Sequence, residues 1–254
     1  MQFEEFDAFT GKLCKETERI IMDYFESPDL EVLSKSDDTP VTAADRKAEQ
    51  MIRTAIETVY PEHGIMGEEF GETNQDAEYQ WVVDPIDGTK TFTAGSPLFG
   101  TMIALLKDGE PLFGSINYPA VHKRLSGDNE RAFCNRKPIA SRTGIALSDA
   151  IVLTTDVQSV AEFQSGPNFE DLLAKTRFCR TWGDCFGYFL VATGKADIML
   201  DPIMNPWDIM ALVPILRGAK AGISDWFGDN PAKGESCLAA NADLHEAVVQ
   251  ILNK

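Results

Sequence analysis

Apolar residues recur at helical spacing along the first 25 residues. Phe3, Phe6, Phe9, Leu13, Ile20 and Tyr24 alternate with charged positions, which predicts a helix over 3–25. Ser27-Pro28 follows and stops it, because proline disfavours helical backbone in the residue before it. The pattern returns at 43–59, with Ala44, Ala48, Met51, Ile52, Ala55, Ile56 and Val59 on one side. Thr42 and Asp45 have the spacing of a capping box at its start, and Pro61 closes it. A short apolar piece, Gly64-Ile65-Met66, precedes a polar loop and the strand Trp81–Val83. Residues 99–106 and 112–118 read as two strands joined by Lys107-Asp108-Gly109-Glu110. A further strand is expected at 151–155. Helices are expected near 168–176, 184–194, 207–219 and 243–252, with Pro214 kinking or shifting the third. A hairpin flanked by helices predicts mixed α and β structure rather than a simple doubly wound parallel sheet.

The 254 residues suit one large domain or two packed halves, divided roughly at 1–140 and 141–254. A net charge of −17 repels nucleic-acid backbones and anionic membranes, so neither is expected as a partner. It also suits a pocket of carboxylates neutralised by a divalent cation. The longest uncharged stretch, Thr91 to Leu106, is broken by Gly95, Pro97 and Gly100 and is too short to span a bilayer. Five cysteines, an odd number with no CxxC pair, predict free thiols in a reducing cytosol. The N-terminal residues carry acids early and show no secretory signal, so a cytoplasmic location is expected.

The most informative stretch is Asp84-Pro85-Ile86-Asp87-Gly88-Thr89, straight after the apolar Trp81-Val82-Val83. Two carboxylates at a strand end can serve two magnesium ions, which prefer oxygen ligands. Pro85 stiffens the turn, and the Ile86 carbonyl can be a neutral ligand. The Gly88 and Thr89 N–H groups can face an anion. Other acids at element ends can complete the sites: Glu68-Glu69 after Gly67, Asp208 after Asn205-Pro206-Trp207, and Asp45. Alone, Asp45 reads as a capping acid, Asp208 as a favourable charge at a helix start, and Glu68-Glu69 as a solvated loop. Together they read as a site. Haloacid-dehalogenase phosphatases use Asp-x-Asp-Gly-Thr with the first aspartate as nucleophile. Here the spacing is Asp-x-x-Asp, and one added residue re-aims the second carboxylate. No phosphoenzyme is expected.

Gly67-Glu68-Glu69, Asp84-Pro85-Ile86-Asp87-Gly88-Thr89 and Trp207-Asp208 together resemble the inositol monophosphatase family of magnesium-dependent, lithium-sensitive phosphatases. The match in order runs from Lys35 to the last helix. The resemblance implies a layered α/β/α/β/α sandwich, often dimeric, with two to three magnesium ions per site. It implies that Glu68, Asp84 and the Ile86 carbonyl hold a first ion on the side of the attacking water. Asp84, Asp87 and Asp208 would hold a second beside the leaving oxygen. Thr89, paired with Asp45, would help activate the water, and the N–H groups of Gly88 and Thr89 would hold the phosphate.

Several stretches bear on the substrate. Thr181-Trp182-Gly183-Asp184-Cys185-Phe186-Gly187-Tyr188, Lys90-Thr91-Phe92-Thr93-Ala94-Gly95-Ser96-Pro97, Phe99-Gly100-Thr101 and Gly222-Ile223-Ser224-Asp225-Trp226 resemble the histidinol-phosphate phosphatase branch of the family. The resemblance implies that Asp184 and Asp201 lie beside the leaving alcohol, where two acids would suit a cationic group such as the amine or imidazole of histidinol phosphate. Asp184 also reads as a helix N-cap. The implied partner is a small phosphate ester, with inositol phosphate or a broader range of sugar phosphates as the alternative. A nucleotide 3′-phosphatase or a non-catalytic metal-responsive binding protein stands further off. Lys35 and Lys90 can screen phosphate or acids or simply face solvent. The stretch 128–136 departs from the family's glycine-rich turn and predicts a different local loop. His63, His122 and His245 are scattered, with no zinc spacing.

Overall fold

The computed structural model describes residues 1–27, 32–34 and 40–254; Pro28 and Lys35 lie outside these. The chain opens with α1 (Phe3–Tyr24), a short pair of strands β1 (Val32–Ser34) and β2 (Pro40–Thr42), and α2 (Ala43–Val59). Both expected helices are present within a residue of their predicted ends.

Next come β3 (Gly64–Gly67), β4 (Gly71–Thr73), β5 (Tyr79–Asp87) and the short helix α3 (Thr89–Thr93). They are followed by β6 (Gly100–Lys107), β7 (Glu110–Tyr118), β8 (Lys123–Gly127), β9 (Ala132–Cys134) and β10 (Lys137–Pro138). These strands form an eight-stranded sheet in the order β10-β9-β8-β7-β6-β5-β3-β4. All neighbours are antiparallel except β3 and β5, which run parallel. The β6–β7 turn places Asp108 at φ 50° and Gly109 at φ 81°, the left-handed pair that a two-residue hairpin demands. The stretch 128–136 is the β8–β9 connection, β9 and a turn in which Asn135 and Arg136 both have positive φ, 47° and 64°.

The remainder comprises β11 (Ile151–Thr154), α4 (Val157–Phe163), α5 (Gly166–Lys175), β12 (Phe178–Arg180), α6 (Asp184–Ala192) and β13 (Ile198–Asp201). It ends with α7 (Pro206–Ile209), α8 (Leu212–Gly218), β14 (Ala221–Ser224), β15 (Cys237–Asn241) and α9 (His245–Leu252). A second, five-stranded sheet has the order β12-β11-β13-β15-β14. The single helix expected at 207–219 is in fact two. Pro214 is the third residue of α8, in the first turn, where its missing N–H costs no helical bond. The break therefore falls before it rather than at it.

Strand alternation sorts the side chains into layers. From β5, Trp81 and Val83 pack with Phe6, Leu13, Ile52 and Ile56 of α1 and α2. Val82, between them, packs on the other face with residues of α6 and α8 such as Tyr188, Val191 and Leu212. The second sheet does the same. Met199 and Ala239 face α6 and α8, whereas Ile198, Leu200 and Leu238 face α5 and α9. The result is helices, sheet, helices, sheet, helices, the layered α/β/α/β/α arrangement. No helix among the described residues is long and apolar enough to cross a membrane.

Candidate active site

The site forms where β5 ends. Pairing between β5 and β6 is regular to Asp84 and becomes irregular between Asp84 and Asp87. Pro85, which lacks an N–H, cannot continue a central ladder, so the backbone bulges here. Thr101 Oγ1 donates to the Pro85 carbonyl at 2.8 Å and fixes that bulge from β6. Two carboxylates that regular pleating would separate thus turn to one place. Asp84, Asp87 and Asp208 each offer an oxygen, and these oxygens lie within 4.8 Å of one another. Among the described residues this is the one group of acids, cysteines or histidines placed to hold a metal ion.

Two acids of the cluster, Asp87 and Asp208, and the neighbouring Asp45 are anchored by hydrogen bonds from outside it. Asp87 Oδ2 accepts from the Cys185 N–H at 2.5 Å, in the first turn of α6. Asp208 Oδ2 accepts from the Asn205 N–H at 2.8 Å and closes the start of α7. Asp45 Oδ2 accepts from the Thr42 N–H at 2.8 Å and from Thr42 Oγ1 at 2.6 Å, at the start of α2. Its Oδ1 lies 3.4 Å from Thr89 Oγ1. Cap and site are therefore the same residue at Asp45 and Asp208: one oxygen holds the helix start and the side chain still faces the site. Thr89 Oγ1 also lies 3.1 Å from the Ile86 carbonyl, while the Ile86 side chain is buried with Phe92 and Phe99. Gly88 has φ 83°, and a Cβ there would lie 2.8 Å from Asp184 Oδ2, so glycine is required twice over.

The electrostatics are those of acids without a counter-charge. Burial, then the charges of Glu68, Asp87 and Asp208, hold the Asp84 carboxyl well above the usual range. Burial, then Asp184 and Asp208, does the same to Asp87. Burial pushes Asp208 up to about 6 against hydrogen bonds from Asn205 and Asp84 that pull it down. Asp84 Oδ1 is buried and has no hydrogen-bond partner among the described residues, a costly state for a charged oxygen. An all-oxygen donor set with a buried, unsatisfied carboxylate oxygen fits a hard divalent cation. Glu68 is outside the tight triad, yet near enough to raise Asp84. Its N–H donates to the Val83 carbonyl at 3.2 Å, one residue before Asp84.

Beside the triad opens a cleft of about 540 Å³, lined by Lys90, Thr91, Thr155, Asp156, Asp184 and Asp201 among others. Asp184 is not the N-cap of α6. Gly183 takes that position, and Asp184 is the first helical residue, at φ 48°. Its carboxylate points to Thr91, whose Oγ1 donates at 2.6 Å. Burial raises the Asp184 carboxyl, with Thr91 and Lys90 opposing. Asp201 is 5% exposed and already engaged: Oδ1 accepts from the Thr155 N–H at 3.2 Å and Oδ2 from the Tyr188 hydroxyl at 2.9 Å. Burial pushes it up to about 7.

The structure thus brings Asp84, Asp87, Asp208, Ile86, Gly88, Thr89 and Asp45 to one place, with Glu68 alongside and Asp184 and Asp201 in the adjoining cleft. Lys90 lines that cleft. Cys185 is buried, and none of the five cysteines is in a disulfide. Sequence reasoning missed Thr155 and gave no role to Thr91 and Tyr188, the three residues that hold the cleft acids. It also missed Glu49 and Arg53. Their signal was present, since Asp45, Glu49 and Arg53 recur every four residues on an otherwise apolar helix face.

Comparison with known proteins agrees with this geometry. The model of the inositol monophosphatase family matches residues 2–254. A histidinol-phosphatase of Chlorobaculum parvum is 38% identical over 232 residues, covering 91% of this chain and 90% of that protein. A histidinol-phosphatase of Mycobacterium tuberculosis is 35% identical, covering 90% of each. The solved structure of an inositol monophosphatase from Zymomonas mobilis superposes with a TM-score of 0.89 at 34% identity, covering 100% of both chains. The chain belongs to the inositol monophosphatase family and is a phosphoric monoester hydrolase.

Proposed function

We propose that the protein is a magnesium-dependent phosphatase that hydrolyses L-histidinol phosphate to L-histidinol and phosphate, a step of histidine synthesis. The observation that carries this reading is an acid-lined cleft, with Asp184 and Asp201, opening directly beside a carboxylate triad. Similarity to histidinol-phosphatases across nine-tenths of the chain supports it.

In this reading Asp84, Asp87, Asp208 and Glu68, with the Ile86 carbonyl, hold two or three magnesium ions. When bound, magnesium neutralises phosphoryl charge and lowers the pKa of water at the site. The rest is positioning, as phosphoryl transfer requires. The Gly88 and Thr89 N–H groups orient the phosphate. Thr89 Oγ1 takes a proton from the attacking water and passes its own to Asp45 Oδ1, 3.4 Å away. Thr42 occupies the other Asp45 oxygen and so fixes which one faces Thr89. A phosphorus–oxygen bond to the water oxygen forms as the ester bond breaks, and the departing alkoxide takes its proton from solvent water. No protein atom becomes covalently bound to phosphorus.

Specificity lies with the leaving alcohol. Histidinol carries an ammonium and an imidazole. Asp184 is the direct contact in this reading, and Asp201, whose oxygens are held by Thr155 and Tyr188, adds negative charge behind it. A cation in the cleft favours the ionised form of both acids. The reading extends to a homodimer and to inhibition by lithium, which rest on the family alone. An inositol-phosphate phosphatase is the second reading, favoured by the full-length match to the Zymomonas mobilis enzyme.

The test is kcat/KM for histidinol phosphate against inositol 1-phosphate, in the native protein and in Asp184→Asn. Asparagine tolerates the positive φ at this position. The expected preference for histidinol phosphate is ~100-fold or more, about 3 kcal/mol. Asp184→Asn should erase at least ~10-fold of it. Equal losses on both esters would remove Asp184 from specificity, and a preference for inositol phosphate would favour the second reading.

A further inference from the structure

Helix α2 carries Asp45, Glu49 and Arg53 at four-residue spacing, which stacks them along one face. All three are buried, at 0%, 0% and 4% exposure. Asp45 turns to Thr89. Glu49 and Arg53 turn instead to the segment between β3 and β4, which carries Glu68.

The contacts there form a clamp. Glu49 Oε2 accepts from the Glu69 N–H at 2.7 Å, and Oε1 accepts from the Phe70 N–H at 3.2 Å. Arg53 Nε donates to Glu49 Oε1 at 2.8 Å, and Arg53 Nη2 donates to the Gly71 carbonyl. On the other side, the Glu68 N–H is tied to the Val83 carbonyl of β5. The backbone is thus pinned immediately before and immediately after the Glu68 side chain. The fit leaves no slack: a Cβ on Gly67 would lie 2.0 Å from Glu49 Oε1 and 2.8 Å from Arg53 Nη2. Arg46 stacks over the Phe70 ring at 5.2 Å and closes the outer side of the loop.

A buried ion pair is a poor way to stabilise a helix face, since apolar residues of similar size do as well or better. This one satisfies two successive loop N–H groups and one carbonyl, which apolar residues cannot. What it fixes is the path of a loop held against β5, where Gly67 pairs with Val83 and the Glu68 N–H bonds the Val83 carbonyl, one residue before Asp84.

We infer that Glu49 and Arg53 are positioning residues that set Glu68 against Asp84 and thereby tune the affinity of the site for its divalent cation. The inference rests on the reading that Glu68 and Asp84 hold that cation together. Groups that orient metal ligands from outside typically change affinity by about 10–100-fold, and the clamp belongs in that range. The cleft residues Asp184 and Asp201 lie on other elements, α6 and β13.

The experiment uses the full chain stripped of metal, with Mg2+ alone as the probe. Calorimetry gives its Kd, and steady-state kinetics give the half-activating Mg2+ concentration and KM for histidinol phosphate at saturating Mg2+. Glu49→Gln and Arg53→Lys are compared with Arg142→Met, which removes the partly exposed arginine paired with the buried Asp197, next to β13 in the middle of the other sheet. The expected result is a Kd for Mg2+ raised ~10-fold or more in Glu49→Gln, with KM at saturating Mg2+ changed less than ~2-fold. Arg53→Lys, which keeps the charge but not the planar fork, should fall between Glu49→Gln and the native protein. Arg142→Met should lower Tm without moving the Kd. If Glu49→Gln and Arg142→Met lower Tm alike and leave Mg2+ affinity unchanged, the clamp is only structural and the inference fails. If Glu49→Gln does not fold, an unchanged Kd in Arg53→Lys overturns it equally. A native protein that binds no Mg2+ sinks the underlying reading instead.

Discussion

Two buried carboxylate sites in this protein have opposite surroundings. Asp197, fully buried between β11, β13 and β15, is saturated with donors. Arg142 approaches both its oxygens, the Ile151 N–H donates at 2.7 Å and Asn241 Nδ2 at 3.2 Å. Asp84, 2% exposed, has other carboxylates as neighbours and an oxygen with no partner among the described residues. Burial is equal and composition is equal, yet one site is complete without a ligand and the other is not. The difference identifies function better than burial or an acidic count does. A buried acid with its donors satisfied holds the fold, and a buried acid short of donors waits for a cation.

Swapping each acid for its amide should separate the two. Asp84→Asn is expected to cut kcat/KM by ~1000-fold or more, about 4 kcal/mol of transition-state stabilisation. It should leave the metal-free protein as stable as before or more so, because an amide avoids the cost of protonating or desolvating a carboxylate among other acids. Asp197→Asn should do the reverse. It leaves Arg142 without its ion pair and should cost roughly 3 kcal/mol of stability, with Mg2+ affinity unchanged in the folded fraction. Chemical unfolding of both variants, with and without Mg2+, checks the contrast. A destabilised Asp84→Asn that keeps its activity would collapse it.

A smaller effect sharpens it through pH. Asp201 is pushed up to about 7 and Asp208 to about 6 in the folded, metal-free protein. Both lie above the unfolded value of about 3.9. The folded state therefore holds protons that the unfolded chain has released. That stability is fully present below about pH 4 and is lost as pH rises through about 6 to 7. The metal-free protein should lose several degrees of Tm between pH 5 and pH 8. Saturating Mg2+ should remove the Asp208 part, because the cation favours the ionised carboxylate. Asp201→Asn should remove the Asp201 part. A Tm that rises across this window in the metal-free protein would contradict the assignment.

Much of this was legible in the sequence, for reasons that differ along the chain. α1 and α2 are amphipathic helices on one outer layer, so their period of apolar residues was plain. The acids of the site stand beside proline and glycine at element ends, where their spacing is itself the signal. The second sheet was mostly hidden. β13 and β15 are covered on both faces, so Ile198–Asp201 and Cys237–Asn241 show no alternation to betray them. β8 to β10 were lost because their turns use Asn129, and then Asn135 and Arg136, at positive φ rather than glycine. The end of β5 was read short, because Pro85 marks a stop in a sequence but a bulge in this sheet. Thr91 and Tyr188 stand in stretches that resemble the family branch, yet their roles were not legible, since a hydroxyl gives no sign of which acid, 93 or 13 residues away, it will hold.

The most direct test is phosphate release from histidinol phosphate by the metal-stripped protein, before and after Mg2+ is restored. The account predicts no release above the chelator-treated blank, full recovery on adding Mg2+, and a higher Tm in the reloaded protein. Release that survives complete removal of divalent cations would contradict it, and would mean that the Asp84, Asp87 and Asp208 cluster is not where the chemistry is done.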